Sequence, residues 1–235
     1  MKILIIGYGK MGKEVEQELT NKHHQVHSII NEERDWEILD KQGIDVAIEF
    51  SDRDNAYINI SKCFDLNIPV VSGTTGCQED IEKLITICRN ENKTFLHSNN
   101  FSIGMNVFFA INKKLAELMK SFPEYNVSIL EKHHLDKKDS PSGTAMSLAE
   151  TIMYNSNKKD IINRYTESKE SLGITSIREG KVSGYHQITY KNEIDEIQIS
   201  HNAFSRKGFA KGAVMAAEWI ENKKGFYTID SIFNF

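Results

Sequence analysis

The sequence predicts an α/β protein, built on a Rossmann-type doubly wound parallel sheet with a smaller α+β domain carrying a mixed sheet. Three observations predict it. The chain opens with a short apolar run that passes directly into a glycine-rich turn. Strand and helix signals then alternate through the first hundred residues. Beyond Tyr125 strands dominate, and no long helix separates the last of them.

Lys2–Ile6 is continuously apolar, as a strand buried on both faces requires. It enters Gly7-Tyr8-Gly9-Lys10-Met11-Gly12, which matches G-x-G-x-x-G, and a helix through Val15 and Leu19 leads to a second strand, Val26–Ile30. In that context Gly7 allows the tight turn, Gly9 the approach of a pyrophosphate and Gly12 close helix–sheet packing. Asp45–Phe50, Pro69–Ser72 and Thr94–His97 read as further strands, with helices over Asn55–Leu66 and Gln78–Glu91 between them. Ligands bind beyond the carboxyl ends of such strands. That rim carries Phe50-Ser51, Gly73-Thr74-Thr75-Gly76 and Ser98-Asn99-Asn100-Phe101, all suited to a ribose and a nicotinamide. Ordinary turns use the same residue types, so each loop alone has that second explanation.

Gly104–Lys120 is an amphipathic helix. Tyr125–Leu130, Ile174–Arg178, His186–Tyr190 and Glu196–His201 alternate as strands, and Phe209–Ile220 is helical. Asn155–Glu170 is polar without a clear period and reads as a surface excursion. The aromatic-rich tail, Gly225–Phe235, is expected to pack and to return to the first domain. The domains are therefore 1–103, completed by 208–235, and 104–207.

Between the strand at Tyr125 and the following helix lies Glu131-Lys132-His133-His134 through Lys137 to Ser140-Pro141-Ser142-Gly143-Thr144-Ala145. Ser140 is expected as the N-cap and Pro141 as the first helical residue. The N–H groups of Ser142, Gly143 and Thr144 would face an anion, with His134 and Lys137 beside it and His133 free to handle a proton. A solvated basic loop with an ordinary cap is the plain alternative.

A net charge of −4 argues against a nucleic-acid partner. No apolar run approaches the roughly 20 residues that cross a bilayer, so no membrane partner is expected. Three scattered cysteines without a C-x-x-C point to a reducing cytoplasm, with neither disulfide nor metal site.

These motifs together resemble the 4-hydroxy-tetrahydrodipicolinate reductase family. Glu131 to Ala145 matches its E-x-H-H-x-x-K-x-D-x-P-S-G-T-A signature, Gly73–Gly76 its GTTG, and Asn100-Phe101-Ser102-x-Gly104-x-Asn106 its N-F-S-x-G-x-N. Arg178-x-Gly180-x-x-x-Gly184-x-His186 matches a later element. The resemblance implies NAD(P)H-dependent reduction of a small cyclic dicarboxylate with loss of water, on the route to diaminopimelate and lysine. It implies His133 as acid/base and Lys137 as proton donor, with His134, Ser142, Gly143 and Thr144 on the substrate. Gly7 to Gly12, Asn31, Gly73, Thr74, Thr75 and Ser98 to Phe101 would hold the cofactor. A homotetramer assembled through the second domain is also implied. Asn31 stands where an acidic ribose ligand is usual, so use of both NADH and NADPH is expected. Glu32 takes the acidic role if the register shifts by one. A different amino-acid or keto-acid dehydrogenase explains the glycine loop but not His133-His134-x-x-Lys137 joined to Ser142-Gly143-Thr144. A dinucleotide sensor would not need both His133 and Lys137.

Overall fold

The computed structural model describes residues 1–233. In chain order the elements are β1 (Lys2–Ile6), α1 (Lys10–Asn21), β2 (Gln25–Ile30), β3 (Val46–Glu49), α2 (Arg53–Asp65), β4 (Val70–Ser72), α3 (Gln78–Asn90) and β5 (Thr94–His97). They continue as α4 (Ile103–Met119), β6 (Asn126–His133), α5 (Gly143–Tyr154), β7 (Asp160–Ile162), β8 (Ser171–Arg178), β9 (Gly184–Lys191) and β10 (Glu196–Ala203). The last are α6 (Lys207–Ile220), β11 (Gly225–Tyr227) and α7 (Asp230–Phe233). Two compact units result: Met1–Ile103 with the segment from Arg206 onward, and Gly104–Ser205.

The first unit is a six-stranded sheet in the order β11-β5-β4-β3-β1-β2, parallel throughout. Its apolar strands are explained by burial on both faces. Along β1, Leu4 and Ile6 pack with Ile60, Phe64, Leu84 and Phe95, whereas Ile3 and Ile5 pack with Val15, Leu19, Ala213, Val214 and Ala217. Helix α6 lies so close that a Cβ on Gly212 would stand 1.8 Å from the Phe101 carbonyl oxygen. Asp52 caps α2 by accepting from the N–H groups of Asp54 and Asn55.

The second unit is a five-stranded mixed sheet, β10-β9-β6-β8-β7, with β6 parallel to β8 and antiparallel to β9. Helices α4 and α5 cover one face: Met105, Phe108, Leu148 and Ile152 pack on Val127, Ile129, Ile174 and Ile188.

Three expectations change, and the tail packs on the first unit as expected. The strand from Tyr125 runs on to His133 and so carries the first residues of the signature. The N-cap of α5 is Ser142, whose hydroxyl accepts from the Ala145 N–H at 3.2 Å, while Ser140 and Pro141 precede the helix. In Ser-Pro-Ser both serines can cap, and the second has the extended backbone and places its oxygen over the first turn. The segment 155–170 contains β7, an edge strand too short to leave a period, and Lys158 within it donates to the carbonyls of Ser168 and Ser171. In the tail, β11 pairs with β5 and Ile229 is buried. Asn234 and Phe235, part of the predicted tail, lie outside the described residues.

Candidate active site

On β6 alternate residues share a face, and Val127, Ile129, Glu131 and His133 form the buried one. The apolar face of the second unit thus ends in a carboxylate and an imidazole. Register supplies their partners. His186 of β9 stands opposite Glu131, and Arg178 of β8 opposite His133. The ring Nδ1 of His133 meets Glu131 Oε2 in a very short hydrogen bond. Arg178 Nη2 donates to Glu131 Oε1 at 2.8 Å and to the Asp139 carbonyl at 2.6 Å, and the Ser142 N–H donates to Glu131 Oε1 at 3.3 Å. Gly184 leaves room for the His133 ring, since a Cβ there would lie 3.3 Å from Nε2.

Electrostatics follow from these partners. Burial works against ionisation of Glu131, but bonds from His133 and Arg178 outweigh it and hold the carboxyl well below its ordinary value. Burial, with the adjacent His133, pushes His186 down to about 3. The His133 and His186 rings meet edge to face with centroids 5.1 Å apart. Lys137 Nζ pairs with Asp139 Oδ1 at 2.7 Å. Burial opposes ionisation of Asp139, yet Lys137 and the Gly143 N–H keep its pKa lowered.

The signature residues separate accordingly. His133 is buried in the charged cluster, and Lys137 sits on the connection that Arg178 ties down. His134 lies just past β6, half-buried, and its ring has no hydrogen bond among the described residues. The Ser142 N–H and hydroxyl are engaged by Glu131 and Ala145, so Ser142 is a support and does not face the expected anion. Thr144 stays in the first turn of α5, and a Cβ on Gly143 would meet nothing within 4 Å. Glu131, His133 and His186 have ligand atoms within 4.8 Å of one another, a spacing that would admit a cation. Arg178 and the His133 ring already occupy both Glu131 oxygens, so the geometry favours a proton network over a metal site.

In the first unit, Gly7 has a φ of +86°, and a Cβ there would stand 2.3 Å from the Phe50 carbonyl oxygen. A Cβ on Gly12 would lie 2.2 Å from the Gly7 carbonyl oxygen, whereas one on Gly9 would meet nothing within 4 Å. Gly9 is also the N-cap of α1, without a side-chain cap and with no acidic residue in the first turn. Open space over free N–H groups at a helix N-terminus fits a pyrophosphate. Lys10 opens α1 exposed, Met11 packs into the core, and Lys13 Nζ lies 5.8 Å from the centre of the Tyr8 ring. Asn31 Oδ1 accepts from the Tyr8 N–H at 3.1 Å, which sets Asn31 beside the glycine loop. The Glu32 side chain instead caps the Glu33–Trp36 turn and pairs with Arg34.

At the same rim Glu49, with no exposed surface, accepts four hydrogen bonds on its carboxylate. The donors are the Ser51 N–H (2.7 Å), the Ser51 hydroxyl (2.6 Å), the Ser72 hydroxyl (2.6 Å) and the Thr74 hydroxyl (2.7 Å). Gly73 exists for the Phe50 ring, which a Cβ would approach to 2.1 Å, and Thr75 is exposed. Ser98 and Asn100 build their own loop: the Ser98 hydroxyl bonds both backbone groups of Asn100, and Asn100 Oδ1 accepts from the Ser102 N–H. Asn99 bonds the His97 ring at 3.2 Å. Phe101 is a correction. Its ring is 1% exposed and packs edge to face on Phe50, so its side chain is core and cannot line a ligand site.

Residues 1–101 match the family described as "Dihydrodipicolinate reductase, N-terminus", and residues 104–233 match "Dihydrodipicolinate reductase, C-terminus". The chain belongs to the dihydrodipicolinate reductase family. A 4-hydroxy-tetrahydrodipicolinate reductase from Christiangramia forsetii is 42% identical over 99% of this chain and 97% of its own length. One from Staphylococcus aureus strain Newman is 33% identical over 99% of this chain and 100% of its own. A solved structure, a dipicolinate-bound dihydrodipicolinate reductase from Paenisporosarcina sp. TG-14, shares the fold. Its TM-score is 0.73 at 21% identity, covering 97% of each chain. Membership of the dihydrodipicolinate reductase family makes the chain an NAD(P)H-dependent oxidoreductase of diaminopimelate and lysine biosynthesis.

Two partners of the family signature escaped a reading confined to the motif. Arg178 and His186 become site residues only through register, and Glu131 only through its pairing with them. One signal was available for Glu131: it is an acid at the buried phase of the Val127, Ile129 alternation. Glu49 carries the same signal at the end of Val46-Ala47-Ile48.

Proposed function

We propose that the chain reduces 4-hydroxy-tetrahydrodipicolinate to tetrahydrodipicolinate with loss of water, with His133 as acid/base and Lys137 as proton donor. The observation that carries this reading is His133, whose Nδ1 is held by an ionised, buried Glu131 that Arg178 fixes in turn. That arrangement selects the tautomer and orientation of the ring and leaves Nε2 beside Gly184 for proton exchange. A positioned acid or base of this kind contributes about 10²–10⁴-fold in rate. His134 and the Thr144 N–H hold the substrate's carboxylates, joined by the Gly143 N–H once Asp139 releases it. Lys137 reaches the substrate by exchanging Asp139 for it. When bound, the nicotinamide cofactor supplies the hydride. Gly7, Gly9 and Gly12 hold its pyrophosphate, while Asn31, Thr74, Thr75 and the Ser98–Asn100 loop hold its sugars and carboxamide.

NADH and NADPH both serve. Asn31 can bond a ribose hydroxyl but carries no charge to repel a 2′-phosphate, and Glu32 is spent on its own cap. The enzyme works in the cytoplasm, consistent with three buried, unpaired thiols. It assembles as a homotetramer through the second unit's sheet, whose edge strand β10 has Ile197 exposed on it and Phe204 just beyond. Light scattering that gave an active monomer at micromolar concentration would remove the tetramer. The activity is tested by coupling the chain to a dihydrodipicolinate synthase and following nicotinamide absorbance with each cofactor. Oxidation dependent on the synthase product is expected, and its absence with both cofactors would overturn the reading.

A further inference from the structure

We infer that Glu49 is a positioning residue for the cofactor, fixing two loops of the rim and the hydrogen-bond polarity they present to the nicotinamide-ribose half. The inference rests on the reading that this rim holds a nicotinamide dinucleotide. Strand order places that half. The glycine loop follows β1, Asn31 follows β2 on one side, and β3 and β4 lie on the other. A dinucleotide with its pyrophosphate at Gly9 and its adenosine ribose at Asn31 must run its second half over the ends of β3 and β4.

The Glu49 carboxylate ends β3 and reaches across to β4. It holds the loop after β3 through the Ser51 N–H and hydroxyl, the end of β4 through the Ser72 hydroxyl and the loop after β4 through the Thr74 hydroxyl. All four bonds lie between 2.6 and 2.7 Å, the range of charge-assisted contacts. A carboxylate only accepts, so each hydroxyl must spend its single proton on it. The lone pairs of Ser51 are met from behind by Asn59 Nδ2 at 3.3 Å, and Asn59 is itself fixed by Trp36 Nε1 at 3.1 Å. Thr74 is therefore left as a pure acceptor, matched to ligand donors such as a ribose hydroxyl or a carboxamide N–H. A carboxylate used only to stabilise the sheet would have no need to gather donors from two separate ligand loops.

Calorimetric titration of NADH and NADPH into the full chain tests this directly, alongside steady-state kinetics. Glu49→Leu is expected to weaken binding of both cofactors at least tenfold, with the Michaelis constant for the dicarboxylate changed less than threefold. Glu49→Gln, which keeps the acceptor at Oε1, should recover most of that loss. If Glu49→Leu does not fold, Thr74→Val and Thr74→Ser ask the same question at one arm of the network. The valine variant should lose cofactor affinity and the serine variant retain it. Folded variants with wild-type cofactor affinity would overturn the role of Glu49 while leaving the rim intact. A wild-type chain that binds neither cofactor would overturn the reading of the rim itself, and this inference with it.

Discussion

Each unit buries one glutamate completely near the carboxyl end of a central strand, and the two are neutralised in different ways. Glu131 is met by a guanidinium, an imidazole and one backbone N–H. Glu49 is met by three hydroxyls and one backbone N–H, with no cation in contact among the described residues. A carboxylate paired with charges can alter the protonation of its neighbours. One solvated by neutral donors chiefly fixes their directions. The difference teaches that the second unit couples its buried carboxylate to titratable neighbours, whereas the first uses its own chiefly to hold a shape.

Kinetic variants break or sharpen that contrast most strongly. His133→Ala and Lys137→Ala should each lower kcat by about 10²–10⁴-fold while cofactor affinity holds. His134→Ala should chiefly raise the Michaelis constant for the dicarboxylate. Near-normal turnover in both of the first two would remove the proton-handling assignment. Glu131→Ala should cost about 3 kcal/mol of stability, because it leaves the partly buried Arg178 guanidinium without its carboxylate. Urea unfolding measures this. Glu49→Leu, which strands no cation, should cost clearly less, and equal losses would erase the contrast.

Acid sensitivity comes next. His186 is buried neutral with its value pushed down to about 3 from the ordinary 6.5. In the unfolded chain it takes up a proton below about 6.5, so the unfolded state gains as pH falls toward 3. Stability should therefore rise with pH across that window, and His186→Gln should flatten the slope. Glu131, held low in the folded chain, adds a loss of the same sign only once pH falls through the carboxylate range. Thermal melts of both proteins between pH 4 and 7 provide the comparison, and identical slopes would exclude His186 as the source.

The smallest effect concerns the cofactor. NADH and NADPH should differ by no more than about tenfold in kcat/KM, roughly 1.4 kcal/mol. Asn31→Asp should move preference toward NADH. A hundredfold wild-type bias toward NADH would return the ribose to Glu32 despite its cap.

What the sequence revealed follows from how each feature is encoded. Strands buried on both faces leave continuous apolar runs, so β1 and β5 could be placed to the residue. Gly7 and Gly12 were legible because only a missing side chain satisfies their surroundings, and Gly9 because the same motif keeps the space over the helix N-terminus open. The three-residue strands β7 and β11 were not, since neighbouring strands specify them more than their own pattern does. Phe101 was misplaced because a loop residue gives no local sign that α6, over a hundred positions later, will cover it. Arg178 and His186 were visible as residues but not as partners, because cross-strand register is not written locally.

That late covering of Phe101 also bears on biosynthesis. Residues 1–103 leave the ribosome first, yet Ile3, Ile5, Val15 and Leu19 find Ala213, Val214 and Ala217 only after α6 is made. The strand β5 must likewise wait for β11 to cover its edge. The segment 104–205, synthesised in between, contains all five strands of its own sheet and both helices that cover it. Domains generally fold as units during synthesis. For this chain, then, the middle is complete before the beginning, and the first hundred residues spend translation of the rest as a half-covered sheet, the period in which a chaperone has most to protect.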